Sequence, residues 1–361
     1  MDVTSIINKI NQHNQHNPNN QDDMLNKHKQ TTIKIPSKEL LIQMLLEEER
    51  IRFLDNKEYI AECDKVAYEP NGWLRVSEKK QYDIVKKFGF YSEIESDIAV
   101  NHMRRAQYLY PDDEVFKTIP VYVRNNLAQQ TKYRESDTVP NLTIHQSNTD
   151  FTQIKLYDTF DKKKINILIA SSHTWQPFKS NVELIKFIGS TFYQKVNIVF
   201  VYISEAHAVD VWPIGLSAGT LNYKHKTLAD RLHCANKFIK EYDFYGFDQL
   251  ISVDVSLDGS VDRSVDGSVD RSSNTYINTY LDSINNDLQN ELSAWPFRYY
   301  VIESNLSNTS NTSNTLNISR EVGITNQIQT FYKFKFIPDP SDAEFNLEEL
   351  FKQILPTTLT D

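Results

Sequence analysis

Apolar positions follow two rhythms along this chain, and the rhythm changes near residue 136. From about 35 to 127 the spacing is that of helices. Pro36–Asp55 carries Leu40, Leu41, Met44, Leu45, Ile51 and Leu54 as one stripe, with Ser37 placed as an N-cap and acidic Glu39 in the first turn. A second helix is predicted from Ser77 to about Phe88, stopping at Gly89, and a third from Ser92 to about Tyr108. Pro111-Asp112-Asp113-Glu114 opens a short fourth helix, and Val66–Val76, with Pro70-Asn71-Gly72, reads as a turn-bearing connector. Residues 35–127 therefore read as a small helical domain.

Beyond Ser136 the apolar runs are short and β-like. Asp137–Leu142 followed by Thr143, Ile144 and His145 reads as a first strand, and Phe151–Leu156 as its hairpin partner. Ile165–Ala170 and Val196–Ile203 are continuous apolar runs of buried-strand type. Between them lie a polar turn, Ser171–Thr174, and a helical pattern opened by Pro177 with Phe178, Val182, Ile185, Phe187 and Ile188 as apolar positions. This is a β–α–β unit with parallel strands, its crossover expected to be right-handed. A helix follows over Lys226–Glu241, with Leu228, Leu232, Ala235, Phe238 and Ile239 on the buried face. Gln249–Val255 reads as a strand, Tyr276–Leu292 as a helix, Arg298–Glu303 and Gln329–Phe336 as strands, and Asp342–Leu355 as a closing helix. The order β-β-α-β-α-β-α-β-β-α predicts an α/β domain over 136–355, a thioredoxin-like mixed sheet flanked by helices.

Three segments fit neither rhythm. Residues 1–30, rich in Asn, Gln and His, read as a disordered tail, and its histidines have no metal-ligand spacing. Residues 257–273 repeat V-D-G/R-S with a period of four, which matches no solenoid unit, and 304–317 are rich in Ser, Asn and Thr; both read as low-complexity insertions in loops. A hydrophobic share of 40% with 12% aromatic residues suffices for a core, while the net charge of −9 argues against nucleic acid as a partner, Lys162–Lys164 being the longest basic run. Two cysteines, Cys63 and Cys234, give neither a disulfide framework nor a zinc pattern, and Cys234 reads as a buried, inert thiol. With no apolar stretch near eighteen residues and no signal-peptide core in 1–30, the expectation is a cytoplasmic chain with no membrane span.

The turn after Ile165–Ala170 would set backbone N–H groups and a helix start beside residues 173–176, a setting that activates a thiolate or selenolate. That place holds Trp175. Four blocks nevertheless carry a resemblance to the iodothyronine deiodinases, selenocysteine enzymes that reductively remove iodine from thyroid hormones. Ser171–Phe178 (SSHTWQPF) resembles the family's G-S-C-T-Sec-P-P-F turn at Ser172, Thr174, Pro177 and Phe178. Val201–Trp212 (VYISEAHAVDVW) resembles V-Y-I-E-E-A-H-x-x-D-G-W at Tyr202, Glu205, Ala206, His207, Asp210 and Trp212. Lys224–Ala235 resembles the H-R-S-L-x-D-R-x-x-A-A block, giving His225, and RYYVI (Arg298–Ile302) resembles R-L-Y-V-I, giving Arg298. The resemblance implies a thioredoxin-like fold and a cis Trp295–Pro296 bond facing the turn. It also implies catalytic positions at Trp175, Glu205 and His207, and substrate-binding positions at Ser172, Thr174, Tyr202, His225 and Arg298. It implies no metal and no cofactor beyond a thiol reductant where the chain is active.

The departures fall on the chemistry. The selenocysteine position is Trp175, the neighbouring cysteine is His173, and the Gly and first Pro are Ser171 and Gln176. Tryptophan has no lone-pair nucleophile, so it cannot form a selenenyl or sulfenyl intermediate. The selenocysteine and tryptophan codons differ at one base, which makes residue 175 the position to verify. Each candidate also has a plain reading: Glu205 and His207 as strand-end caps, His225 as a solvated residue ahead of a helix, Arg298 in a salt bridge with Asp230 or Glu303, and His173 filling a cysteine's place. Three functions stay open. One is a deiodinase-like reductive dehalogenase, one a pseudoenzyme holding a small aromatic or phenolic ligand, and one an interaction protein that keeps only the fold.

Overall fold

The computed structural model describes residues 33–244, 277–307 and 329–337. The chain divides into two compact units, one ending at Asn126 and the other beginning at Leu127. In the first, α1 (Lys38–Glu49) is capped by Ser37, whose hydroxyl accepts from Leu40 N at 3.3 Å, and it runs on as a wide π-type turn over Arg50–Leu54. Leu41, Met44 and Leu45 of the predicted stripe are fully buried. Leu54 is not: it is 78% exposed, because the wider turn carries it out of the stripe's register. A helix that the sequence pattern did not announce, α2 (Lys57–Lys65), follows.

The next helix, α3 (Gly72–Lys87), begins five residues earlier than Ser77, so the expected connector is helical from Gly72 on. Its start is set by backbone shape. Asn71 takes a left-handed φ of 55°, and a Cβ on Gly72 would lie 2.4 Å from Val66 O, which only glycine avoids. α4 (Glu93–Leu109), capped by Ser92 through Glu95 N at 3.3 Å, and the short α5 (Val115–Thr118) and α6 (Val121–Asn125) complete the unit. Leu41, Met44, Ile84, Val85, Phe90, Val100, Met103 and Phe116 form its core.

The second unit is a mixed seven-stranded sheet flanked by helices, in the order β2-β1-β5-β4-β3-β6-β7. β1 (Thr143–Gln146) and β2 (Gln153–Lys155) form the expected antiparallel hairpin. β3 (Ile165–Ser171) and β4 (Val196–Tyr202) are parallel, Ile165 opposite Val196 and Ser171 opposite Tyr202. Their crossover contains two helices rather than one, α7 (Gln176–Ser180) and α8 (Val182–Thr191), broken at Asn181. The break turns Phe187 outward to 52% exposure, against the sequence expectation. α9 (Leu228–Tyr242) carries the capping box that its sequence encodes: Thr227 Oγ1 accepts from Asp230 N, and Asp230 accepts from Thr227 N.

The largest correction lies at 276–292. Ile277–Leu281 is β5, parallel to β4, and only Asp287–Leu292 is helical, as α10. INTYL buries alternate residues, Ile277, Thr279 and Leu281, which is the period of a strand and not of a helix. β5 is the strand that follows α9 and α10 the helix before β6, but three strands (β1, β2 and β3) precede the first α-helix of this unit where the expected order had two; the strand expected at Gln249–Val255, the tail at 1–30, the repeat at 257–273 and the closing helix at Asp342–Leu355 lie outside the described residues. β6 (Phe297–Ser307) runs antiparallel to β3 and to β7 (Gln329–Phe336), so 304–307, expected as the start of an insertion, belong to a strand. The β4-β3-β6-β7 portion has the strand order and directions of a thioredoxin-like sheet.

Phe178, Ile185, Ile188, Phe200, Tyr202, Phe238, Phe244 and Tyr299 pack on one face of this sheet. Each such fully buried apolar side chain contributes roughly 1.5–3 kcal/mol. That packing fixes the ends of β3 and β4, where the polar candidates cluster. The Trp295–Pro296 bond is cis, and Ser171 Oγ lies 3.3 Å from Pro296 O.

Candidate functional site

Two loops leave the adjacent parallel strands β3 and β4 at the same end, and their side chains interlock. Ser172, His173 and Thr174 are buried, although they are the polar turn of the sequence. Burial of polar groups is tolerated only when they are hydrogen-bonded. The end of β4 and the loop after it supply partners for Ser172, for Thr174 and for the His173 backbone.

Glu205 is the hub. Its Oε2 accepts from Thr174 N at 3.1 Å and Thr174 Oγ1 at 2.7 Å. Its Oε1 accepts from Tyr202 Oη at 2.5 Å and Asn222 Nδ2 at 2.9 Å, with His225 Nε2 at 3.4 Å. Burial would raise this carboxyl's pKa, but the neighbouring His225 imidazole and the hydrogen bonds from Tyr202 and Thr174 outweigh it and hold the group at about 2. Tyr202 moves the other way, pushed well above its ordinary value by burial and by the Glu205 charge. Tyr202 Oη also accepts from His173 N at 3.0 Å. One ionised carboxylate thus fixes both loops.

His207 is tied to the same hub through its backbone, which donates to Thr174 Oγ1 at 3.0 Å, while its Nδ1 lies 3.3 Å from Trp212 O. Ala206 N donates to Ser172 Oγ at 3.3 Å. The Trp175 indole lies nearly parallel to the His207 ring, centroids 6.0 Å apart and planes 18° apart, and Trp212 meets His207 from another side at 5.1 Å. Trp175 itself is half-buried and forms the N-cap of α7, with its carbonyl accepting from Lys179 N. The Trp175 side chain is therefore one wall of an aromatic cluster.

The expected residues separate into two groups. Ser172, Thr174, Trp175, Tyr202, Glu205, His207 and His225 come together. His225 is buried, not solvated, and sits against the Glu205 carboxylate. Arg298 stands apart: it pairs across β3 with Ala170, shares its side of β6 with Tyr300, and donates through Nη2 to Gln129 O at 3.2 Å. No hydrogen bond or ion pair among the described residues joins it to Glu205, Asp230 or Glu303. His173 is buried with Nε2 3.1 Å from Glu241 Oε2, its rings edge-on to Phe238 and Tyr242, and burial lowers its pKa.

Three functional neighbours escaped the sequence reading. Asn222 donates to Glu205 from a polar loop that carries no spacing signal. Arg231 lies inside the Lys224–Ala235 block without an assigned role, and it is fully buried. Lys179 is buried with Nζ on Ala218 O at 2.6 Å, and burial lowers its pKa to about 8 against the pull of Glu241 and Glu205.

Glu205, His225 and Cys234 present donor atoms within 4.8 Å of one another, a spacing open to a metal ion. Protein partners already engage two of the three donors, Glu205 through Thr174, Tyr202 and Asn222 and His225 through Arg231. Arg231 Nε donates to His225 Nδ1 at 3.2 Å, and arginine stays protonated, so the imidazole proton sits on Nε2, the nitrogen that faces Glu205. Cys234 is a buried thiol pushed up to about 12, chiefly by burial.

The family model of the iodothyronine deiodinases matches residues 97–245. That span contains β3, β4, α9 and every residue of the Glu205 cluster, and it leaves Arg298 outside. No curated protein matches the chain. Among the described residues no helix is long and apolar enough to cross a membrane.

Proposed function

We propose that this deiodinase-like protein binds a small phenolic or aromatic amino-acid-like ligand without removing halogen from it. The observation that carries the reading is the state of position 175: an indole stacked on His207, where the family's chemistry needs a chalcogen. No other described group replaces it, since Cys63 and Cys234 are both buried and their thiols are pushed up to about 11 and about 12, in each case first by burial. The polar hub is complete, so the recognition half of the site is supported independently of the nucleophile. Val211, Leu216, Leu221 and Tyr223, exposed on the segment after His207, offer apolar contact to an aromatic ligand.

Titration of the full chain with 4-iodophenol, followed by calorimetry, tests the reading, with free iodide measured in the presence of dithiothreitol. Saturable binding with no iodide release supports it. Iodide release sinks the inactive reading in favour of a reductive dehalogenase, and mass spectrometry of the peptide containing residue 175 would then identify the side chain responsible. Absence of binding favours the interaction protein.

A further inference from the structure

We infer that Arg231 is the positioning residue that sets the tautomer of His225, and that it thereby makes the site a hydrogen-bond donor toward its ligand. Arg231 is fully buried in α9, and each of its donor nitrogens is assigned. Nη1 donates to Asp282 O at 3.0 Å and Ser283 O at 2.5 Å, and Nη2 donates to Asn286 Oδ1 at 2.7 Å. These three acceptors belong to the turn between β5 and α10, itself held by the Asp282 carboxylate through Ser283 N, Leu288 N and Gln289 N. The guanidinium is planar and rigid, so two fixed edges dictate the direction of the third donor. That donor, Nε–H, meets His225 Nδ1 at 3.2 Å.

An imidazole nitrogen that accepts from arginine carries no proton. The ring is then neutral with its one proton on Nε2. Nε2 lies 3.4 Å from Glu205 Oε1, long for a hydrogen bond, and that oxygen already has Tyr202 at 2.5 Å and Asn222 at 2.9 Å. Nε2 is a buried atom with no well-formed hydrogen bond. His225 therefore offers an underused N–H and no lone pair. A ligand oxygen that accepts, such as a phenol or phenolate oxygen, is matched to it. A ligand group that only donates is not.

The last step rests on the phenolic-ligand reading; the tautomer does not. The test uses the full chain with ¹⁵N-labelled histidine at neutral pH, the His225 signals being those lost in His225→Gln. The expected spectrum has a protonated Nε2 and an unprotonated Nδ1. A protonated Nδ1, alone or together with Nε2, overturns the assignment. Arg231→Lys keeps the charge but loses the Nε–H, and should mix the tautomers and weaken 4-iodophenol about tenfold, the equivalent of one hydrogen bond. An unchanged tautomer in that variant also overturns the assignment, and if the variant fails to fold the wild-type spectrum decides. 4-Iodoaniline, whose ring-delocalised nitrogen lone pair is a much weaker acceptor than a phenol oxygen, should bind about tenfold more weakly than 4-iodophenol, the equivalent of one hydrogen bond. Equal affinity removes the donor role. If the expected tautomer is seen and no phenol binds, the ligand reading fails and the assignment of Arg231 stands.

Discussion

Replacing Glu205 with glutamine removes one charge from the centre of the polar hub and leaves its shape nearly intact. In the folded chain this carboxyl titrates at about 2, against an ordinary value of 4.5. The difference of about 2.5 units corresponds to about 3 kcal/mol of stability at neutral pH. The sign follows from the direction of the shift. A depressed folded-state pKa stabilises above the unfolded value, so the contribution is whole above about pH 4.5 and disappears as pH falls toward 2. Glutamine should cost a similar amount at pH 7, because its amide turns a donor toward Thr174 or toward Tyr202 and Asn222. The assay is urea denaturation of wild type and Glu205→Gln between pH 7 and pH 2.5, read as the difference between the two curves. Other carboxylates held low, such as Glu47 and Glu62, cancel in that difference. The expected gap is about 3 kcal/mol at pH 7 and closes below pH 4.5. A gap that is absent at pH 7, or constant over the whole range, refutes the claim that an ionised Glu205 holds the two loops.

Lys179→Met should stabilise the protein by roughly 1–3 kcal/mol at pH 7, because the folded chain disfavours the buried ammonium; the sign is opposite to that of Glu205, and the gain should fade as pH rises from about 8 toward 10.5 in thermal melts across that range. Trp175→Cys places a thiol at the N-cap of α7 beside His207, and iodoacetamide should alkylate it well before Cys63 or Cys234; peptide mapping that finds all three equally slow would contradict this. Gly72→Ala should destabilise the helical unit by roughly 1–3 kcal/mol, since its Cβ meets Val66 O, and a normal melting temperature would show that the start of α3 shifts at no cost.

How much of this was legible depended on whether the signal was local. Ser37 caps its helix where the sequence placed it, because a cap is decided within four residues; Ser92 and Thr227, read only as helix residues, cap theirs by the same local bond. β3 and β4 were legible because continuous apolar runs of that length fit few other settings. β5 was not. Asn278 and Tyr280 alternate with inward Ile277, Thr279 and Leu281, but the run is five residues long and abuts a helix, so two periods merge into one longer apparent helix. Within the site, Glu205, His207 and His225 were found by resemblance, whereas Asn222 and Arg231 were not assigned roles. Their functions depend on what lies across the fold: Asn222 on a carboxylate seventeen residues away, Arg231 on carbonyls more than fifty residues away. Spacing along the chain contains no trace of such partners.

The persistence of the hub beside a tryptophan has a physical explanation. Thr174, Tyr202, Asn222 and Glu205 satisfy one another, and removing any of them leaves a buried donor or a buried charge without its partner. Trp175 stands outside that accounting. Its backbone caps α7, and its ring lies against His207 and at the edge of the sheet's core without a hydrogen bond to the hub. Position 175 can therefore change side chain without unbalancing the network, whereas Glu205 cannot. Chemistry and architecture are separable at this turn, and the separation makes a measurable statement: substitutions at 175 should alter reactivity and ligand fit while leaving stability within about 1 kcal/mol, the range of a partly exposed aromatic contact. Trp175→Ala and Trp175→Cys, melted beside Glu205→Gln, decide the matter. A loss at position 175 as large as the loss at 205 would mean that the indole is part of the frame after all.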